Sequence, residues 1–104
     1  MEDAQLMFDT MLEQDDVSFN ALIVGYARHQ RGEDALNLYN QLQKKVLDVS
    51  EFTFAGVLSA CASLLAVSRG KHIHAHVILN GYELNVFVGN SLVDMYAACG
   101  SIYI

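Results

Sequence analysis

Apolar residues recur along this chain with the spacing of one helix face. Phe19, Leu22, Ile23 and Tyr26 fall at i, i+3, i+4 and i+7. Thirty-five residues later Phe54, Val57, Leu58 and Cys61 repeat the pattern, and thirty-five after those Gly89, Leu92, Val93 and Tyr96 repeat it again. A second helical set lies between these stripes, Ala35, Leu38, Tyr39 and Leu42 and then Gly70, Ile73, His74 and Val77, also 35 apart. Ala4, Met7, Phe8 and Met11 show the second pattern 31 residues before the Ala35 set, as the end of a shorter unit would. The spacing predicts helices near 2–13, 17–29, 33–45, 51–63, 68–80 and 86–98.

The predicted boundaries have local causes. Gly32 is placed to end one helix, Asn80-Gly81 to turn the chain after another, and Ser18 or Ser50 to cap a helix start. A fixed period of 35 with two helices per unit implies a solenoid, in which each unit buries its stripe only against its neighbours. The expected fold is therefore all-α, a right-handed α-solenoid of helix-turn-helix repeats. Two full units and two halves approach the minimum of roughly three that such arrays need.

Composition supports a packed chain. Of its 104 residues 53% are apolar and 17% charged, with no proline to interrupt a helix. No apolar run approaches the roughly 18 to 20 residues that span a bilayer, because Asn20, Arg28, Glu51, Arg69 and Asn80 break each candidate. The formal charge of −6 is local: residues 1–16 carry six acids and no base, leaving six of each over 17–104. An acidic start is the reverse of a signal or transit peptide, so no address is expected within this chain. The neutral remainder excludes a bulk electrostatic grip on nucleic acid but leaves Arg28, Arg31, Lys44, Lys45, Arg69 and Lys71 for weaker phosphate contacts.

Residues able to do chemistry are sparse. Cys61 and Cys99 lie 38 apart without a CxxC pattern, and Cys61 falls on a core stripe, where a thiol packs as a small apolar group. His72 and His76 have the four-residue spacing of helical zinc ligands, yet no nearby Glu or Cys supplies a third ligand. No nucleotide loop, nucleophile-base order or paired carboxylates can be read, so neither an enzyme nor a cofactor or metal site is expected.

The stretches Val17-Ser-Phe-Asn-Ala-Leu-Ile-Val-Gly-Tyr-Ala27, Phe52-Thr-Phe-Ala-Gly-Val-Leu-Ser-Ala-Cys-Ala62, Gly70-Lys-His-Ile-His-Ala-His-Val-Ile78 and Val86-Phe-Val-Gly-Asn-Ser-Leu-Val-Asp-Met-Tyr96 are the most specific part of the sequence. A tetratricopeptide array has a period near 34 and wants a small Gly after the leucine of the first helix; Ile23, Leu58 and Val93 stand there instead. The chain resembles the pentatricopeptide repeat family of land plants, in particular arrays that mix motifs of several lengths. On that resemblance 1–15 is the second helix of a preceding short motif, 16–50 a standard motif, 51–85 a long-type motif and 86–104 the start of a short-type motif.

The resemblance implies single-stranded RNA as partner, read at roughly one base per motif by two side chains, the fifth and the last of each unit. Carried onto this chain, the base-reading residues are Asn20 with Ser50, Ala55 with Asn85, Asn90 as the first member of a further pair, and Asp15 as the last member of an earlier one. Asn20 with Ser50 is similar to pairs that favour a pyrimidine, cytosine before uracil. Ala55 has no hydrogen-bonding side chain, so the second pair is expected to space the array more than to read. Val17, Phe52 and Phe87 would flank the bases. The pattern departs from the family at Val46, Val49 and Ser50, where a standard motif carries Gly and Pro-Asp, and at Tyr103-Ile104. The implied role is an RNA-binding module of an organelle RNA editing or processing factor, in mitochondrion or chloroplast. Other repeat proteins or editing factors are further partners; neither a membrane nor a small-molecule substrate is expected. The alternatives are a protein-interaction scaffold and a truncated repeat fragment without function.

Overall fold

The computed structural model describes residues 16–45 and 48–100. The expected helix near 2–13, its Ala4, Met7, Phe8 and Met11 stripe, and Asp15, Val46 and Tyr103-Ile104 lie outside the described residues. Five helices follow in order: α1 (Asp16–Arg28), α2 (Gly32–Lys44), α3 (Glu51–Leu64), α4 (Val67–Leu79) and α5 (Val86–Ala98). Each lies within one or two residues of its predicted span.

The chain is an all-α solenoid. α1 with α2 and α3 with α4 form consecutive helical hairpins, and α1, α3 and α5 lie side by side in one layer. α2 packs against both α1 and α3, and α4 against both α3 and α5, so each second helix covers two first helices. α3 is the hub, touching all four others. Its Phe54, Val57, Leu58 and Cys61 are fully buried, as are Phe19 and Ile23 of α1 and Ala35 and Leu42 of α2. A buried Phe or Leu contributes about 1.5–3 kcal/mol.

Periodicity and burial part company in α5. Ile23 and Leu58 are buried, but Val93 at the same register is 58% exposed, and Val88, Leu92 and Met95 form the buried stripe instead. Among the described elements α5 packs only on α3 and α4, so the face carrying Val93 has no helix against it. Burial follows the neighbours present, whereas periodicity marks only which face is apolar.

The turns also differ in detail from expectation. Gly32 does not end α1 but opens α2; the left-handed residue between those helices is Gln30, at φ 59°. Leu65 at φ 53° closes α3, its N–H returning to the Ala62 carbonyl. After α4 the turn is at Gly81, φ 78°, following Asn80 as expected. Ser18 lies inside α1, at its third residue, whereas Ser50 stands before α3 and caps it by accepting the Thr53 N–H at 3.1 Å.

Two buried features generate stability predictions. A Cβ at Gly70 would overlap Met95 Sδ and lie 2.6 Å from its Cε, so this glycine sets the approach of α4 to α5. Helix propensity favours Gly70→Ala by about 1 kcal/mol, but overpacking costs about 1–3 kcal/mol. Gly70→Ala is expected to lower the denaturation midpoint, and the added substitution Met95→Ala to remove the clash, so that the pair is less destabilising than the sum of its parts. Burial pushes the Cys61 thiol up to about 11, from 9.0 when free. The folded chain therefore favours the protonated thiol, and stability falls as pH rises from 9 toward 11 while the unfolded thiol ionises. Urea melts across that window should show a fall that is shallower in Cys61→Ala; the part remaining above pH 10 belongs to Tyr39 and Tyr96, whose phenols burial also shifts upward.

Candidate nucleic-acid interface

The outer face of the first-helix layer carries the residues singled out above. Val17, Phe52 and Phe87, each the second residue of its helix, are 72%, 54% and 58% exposed. A side chain at this place lies two residues before the stripe, about 200° round the helix, so the periodicity that buries Phe19 and Phe54 turns these outward. The Phe52 and Phe87 rings are in contact, with centroids 5.8 Å apart and planes tilted by 49°. A base inserted between them needs two carbon contacts of about 3.5 Å each, so the rings must part and level by about 1 Å.

Asn20 and Ser50, 30 residues apart in sequence, meet at the junction of the two hairpins. The Asn20 Oδ1 accepts the Ser50 backbone N–H at 3.0 Å. Its Nδ2 donates to the Asp48 carbonyl at 2.9 Å and to the Asp16 carbonyl at 2.5 Å. The amide thus ties the segment entering α3 to the first turn of α1. Ser50 Oγ accepts the Thr53 N–H and shares a proton with Thr53 Oγ1 at 2.9 Å. Asn20 and Ser50, with Ala21, Val24, Arg28 and Phe52, line an open depression of about 460 Å³.

Arg28 was counted in the sequence only as one of six bases. In the structure it borders this depression, and it makes no ion pair among the described residues, whereas Arg31 pairs with Asp34 at 2.7 Å and Arg69 with Glu33 at 3.1 Å. The signal in the sequence was its place two turns after Asn20, on the Asn20 face of α1.

The second junction is built differently. Ala55 is half-buried and offers no amide, so nothing there repeats the Asn20 clamp. Asn85 instead caps α5, its Oδ1 accepting the Val88 N–H at 3.1 Å, and its Nδ2 donates to the Glu51 carboxylate. Asn90 is exposed on α5. Ser50 and Asn85 both fill the N-cap of the following first helix, which explains why short polar residues occupy the last place of each unit.

Two histidines of the run face neighbouring helices, while His72 is exposed. His76 Nδ1 and the Tyr39 hydroxyl are 2.8 Å apart, and His74 Nδ1 and the Tyr96 hydroxyl 2.9 Å, so α4 is bonded to α2 on one side and α5 on the other. Burial, and then His72, holds His76 below the usual histidine range. Among the described residues no group of three His, Cys, Asp or Glu is arranged to hold a metal ion, and no helix is long and apolar enough to cross a membrane.

With this geometry in hand, comparison with known proteins identifies the array. The sequence profile of the PPR repeat family matches residues 14–63. A mitochondrial pentatricopeptide repeat-containing protein of Arabidopsis thaliana is 44% identical over 103 residues, which is 99% of this chain and 16% of the relative. The chain belongs to the pentatricopeptide repeat family. The chloroplastic pentatricopeptide repeat-containing protein DOT4 of Arabidopsis thaliana is 44% identical over 98% of this chain and 12% of its own length, and another chloroplastic pentatricopeptide relative is 39% identical over 98% and 17%. This pentatricopeptide chain therefore spans less than a fifth of the length of these relatives.

The Asn20 clamp makes a prediction that needs no RNA. Asn20→Ala leaves the Ser50 N–H and two carbonyls without their partner at a half-buried junction and should destabilise the chain by about 1–2 kcal/mol. Asn90→Ala, on an exposed surface, should change stability by less than about 0.5 kcal/mol. Equal midpoints for the two variants in urea would remove the structural role given to Asn20.

Proposed function

We propose that this chain is a segment of an RNA-binding pentatricopeptide array that reads single-stranded RNA, with Asn20 and Ser50 contacting a pyrimidine and Phe52 and Phe87 bracketing bases. The supporting observation is the depression at the hairpin junction, where a paired amide and hydroxyl meet an exposed aromatic ring and a cation with no ion pair among the described residues. Each part has a separable task. The ring offers a π-face to any base, the polar pair meets a base edge, and Arg28 can take a phosphate.

Within this reading, residues 16–50 act as a standard motif and 51–85 as a long-type motif in an array of mixed lengths. The Ala55–Asn85 pair spaces the array, while Asn90 and Asp15 belong to pairs shared with flanking motifs. The parent function is organelle RNA editing or processing, in keeping with relatives named mitochondrial or chloroplastic.

The test is equilibrium binding of the chain at low salt to labelled single-stranded RNAs that differ at one base. Phe52→Ala should weaken all of them by about 1–3 kcal/mol, the worth of one stacked base. Arg28→Ala should weaken all of them alike and flatten the salt dependence by about one charge. Ser50→Asp keeps a good N-cap but exchanges a hydroxyl for a carboxylate, so it should change which base is preferred. A chain that stays helical by circular dichroism and binds none of these RNAs is instead a protein-interaction scaffold or an inactive fragment.

A further inference from the structure

Thr53 is fully buried within the apolar core. Its hydroxyl has a single hydrogen-bond partner among the described residues, Ser50 Oγ at 2.9 Å. A buried hydroxyl proton left without an acceptor is costly, so Thr53 is the donor of that bond. Ser50 Oγ also accepts the Thr53 backbone N–H at 3.1 Å. A hydroxyl oxygen has two lone pairs, and Thr53 fills both. What Ser50 retains is its proton, on a half-buried side chain that borders the depression.

The same count applies to Asn20. Both Nδ2 protons are taken, by the Asp16 and Asp48 carbonyls, and the Ser50 N–H occupies one lone pair of Oδ1. One lone pair remains. The pair therefore presents one acceptor, on Asn20, and one donor, on Ser50.

We propose that Thr53 is a positioning residue for base selection: its hydroxyl holds Ser50 as a pure hydrogen-bond donor beside an Asn20 that can only accept. This rests on the reading of Asn20 and Ser50 as an RNA-contacting pair and adds how that pair is polarised. With acceptor and donor fixed in that order, cytosine satisfies them with its N4 amine and N3, and adenine matches the order only with a larger ring system, whereas uracil carries a carbonyl and N3–H in the reverse order and must shift along its edge to set N3–H on Asn20 and O2 on Ser50. Without the Thr53 hydroxyl, Ser50 regains a lone pair, its proton can rotate, and it accepts as readily as it donates. The preference then relaxes while the stacking and phosphate contacts stay.

The experiment compares the full chain with Thr53→Val, Thr53→Ser, Ser50→Ala and the double variant Thr53→Val/Ser50→Ala on single-stranded RNAs that differ only at the read base. The readout is the ratio of affinities between bases, which a general loss of stability does not move. Thr53→Val is expected to shrink that ratio roughly two- to tenfold, the range of one hydrogen bond. Thr53→Ser should restore it, and the double variant should match Ser50→Ala, because Thr53 acts through Ser50. A second arm needs no Thr53 variant. RNA carrying 3-deazacytidine, or 2-thiouridine as the weaker acceptor, at the read position should bind the unaltered chain less tightly than the parent pyrimidine, and should bind Ser50→Ala no worse than the parent does. If the unaltered chain has no base preference, the RNA-reading proposal fails and this inference with it. If Ser50→Ala abolishes a preference that Thr53→Val keeps, or the analogues bind as well as the parent bases, the role of Thr53 alone is overturned.

Discussion

Shared burial between neighbouring helices holds the rest of this structure in place. Neither the α1 stripe nor the α3 stripe is enclosed within its own hairpin: α2 covers both α1 and α3, and α4 covers both α3 and α5. α3 is packed by all four other helices, and Phe54, Val57, Leu58 and Cys61 on its inward face have no exposed surface. Stability in such an array comes largely from nearest-neighbour interfaces. Small local contacts then set inter-helix geometry, among them Met95 seated on Gly70 and the two His–Tyr hydrogen bonds that tie α4 to α2 and to α5.

Stacking hairpins this way brings a helix start to every junction, and a helix start carries backbone N–H groups that need acceptors. Ser50 and Asn85 supply them for α3 and α5. Ser50 also borders the outer-face depression beside Phe52, so a residue chosen by capping chemistry is also one that lines that depression. Asn20 shows the overlap most fully. Its amide closes the junction between hairpins while bordering the depression, and its free hydrogen-bonding capacity is what the junction leaves over.

The helices were legible because their causes are local. A stripe at 3.6-residue spacing and a capping serine act within a few residues, and α3 and α5 start where the sequence placed them. Gly32 was misread because glycine is permissive in a turn, but the left-handed residue proved to be Gln30, held by backbone bonds from His29 and Arg31 to carbonyls at the end of α1. The second place of each first helix was legible as exposed for the same local reason. That Phe52 touches Phe87 was not, because it depends on how closely α3 and α5 lie.

The sequence by itself determined that the chain is a helical array with a 35-residue period, and which residues recur on each face, because side-chain direction along a helix follows from spacing alone. Only the tertiary structure decided what those residues do. It left Val93 uncovered, set Arg28 beside Asn20 and Ser50, and gave both Asn20 donors to backbone carbonyls. Burial and hydrogen bonding are relations between segments, and segments 30 residues apart come together only once the helices have stacked.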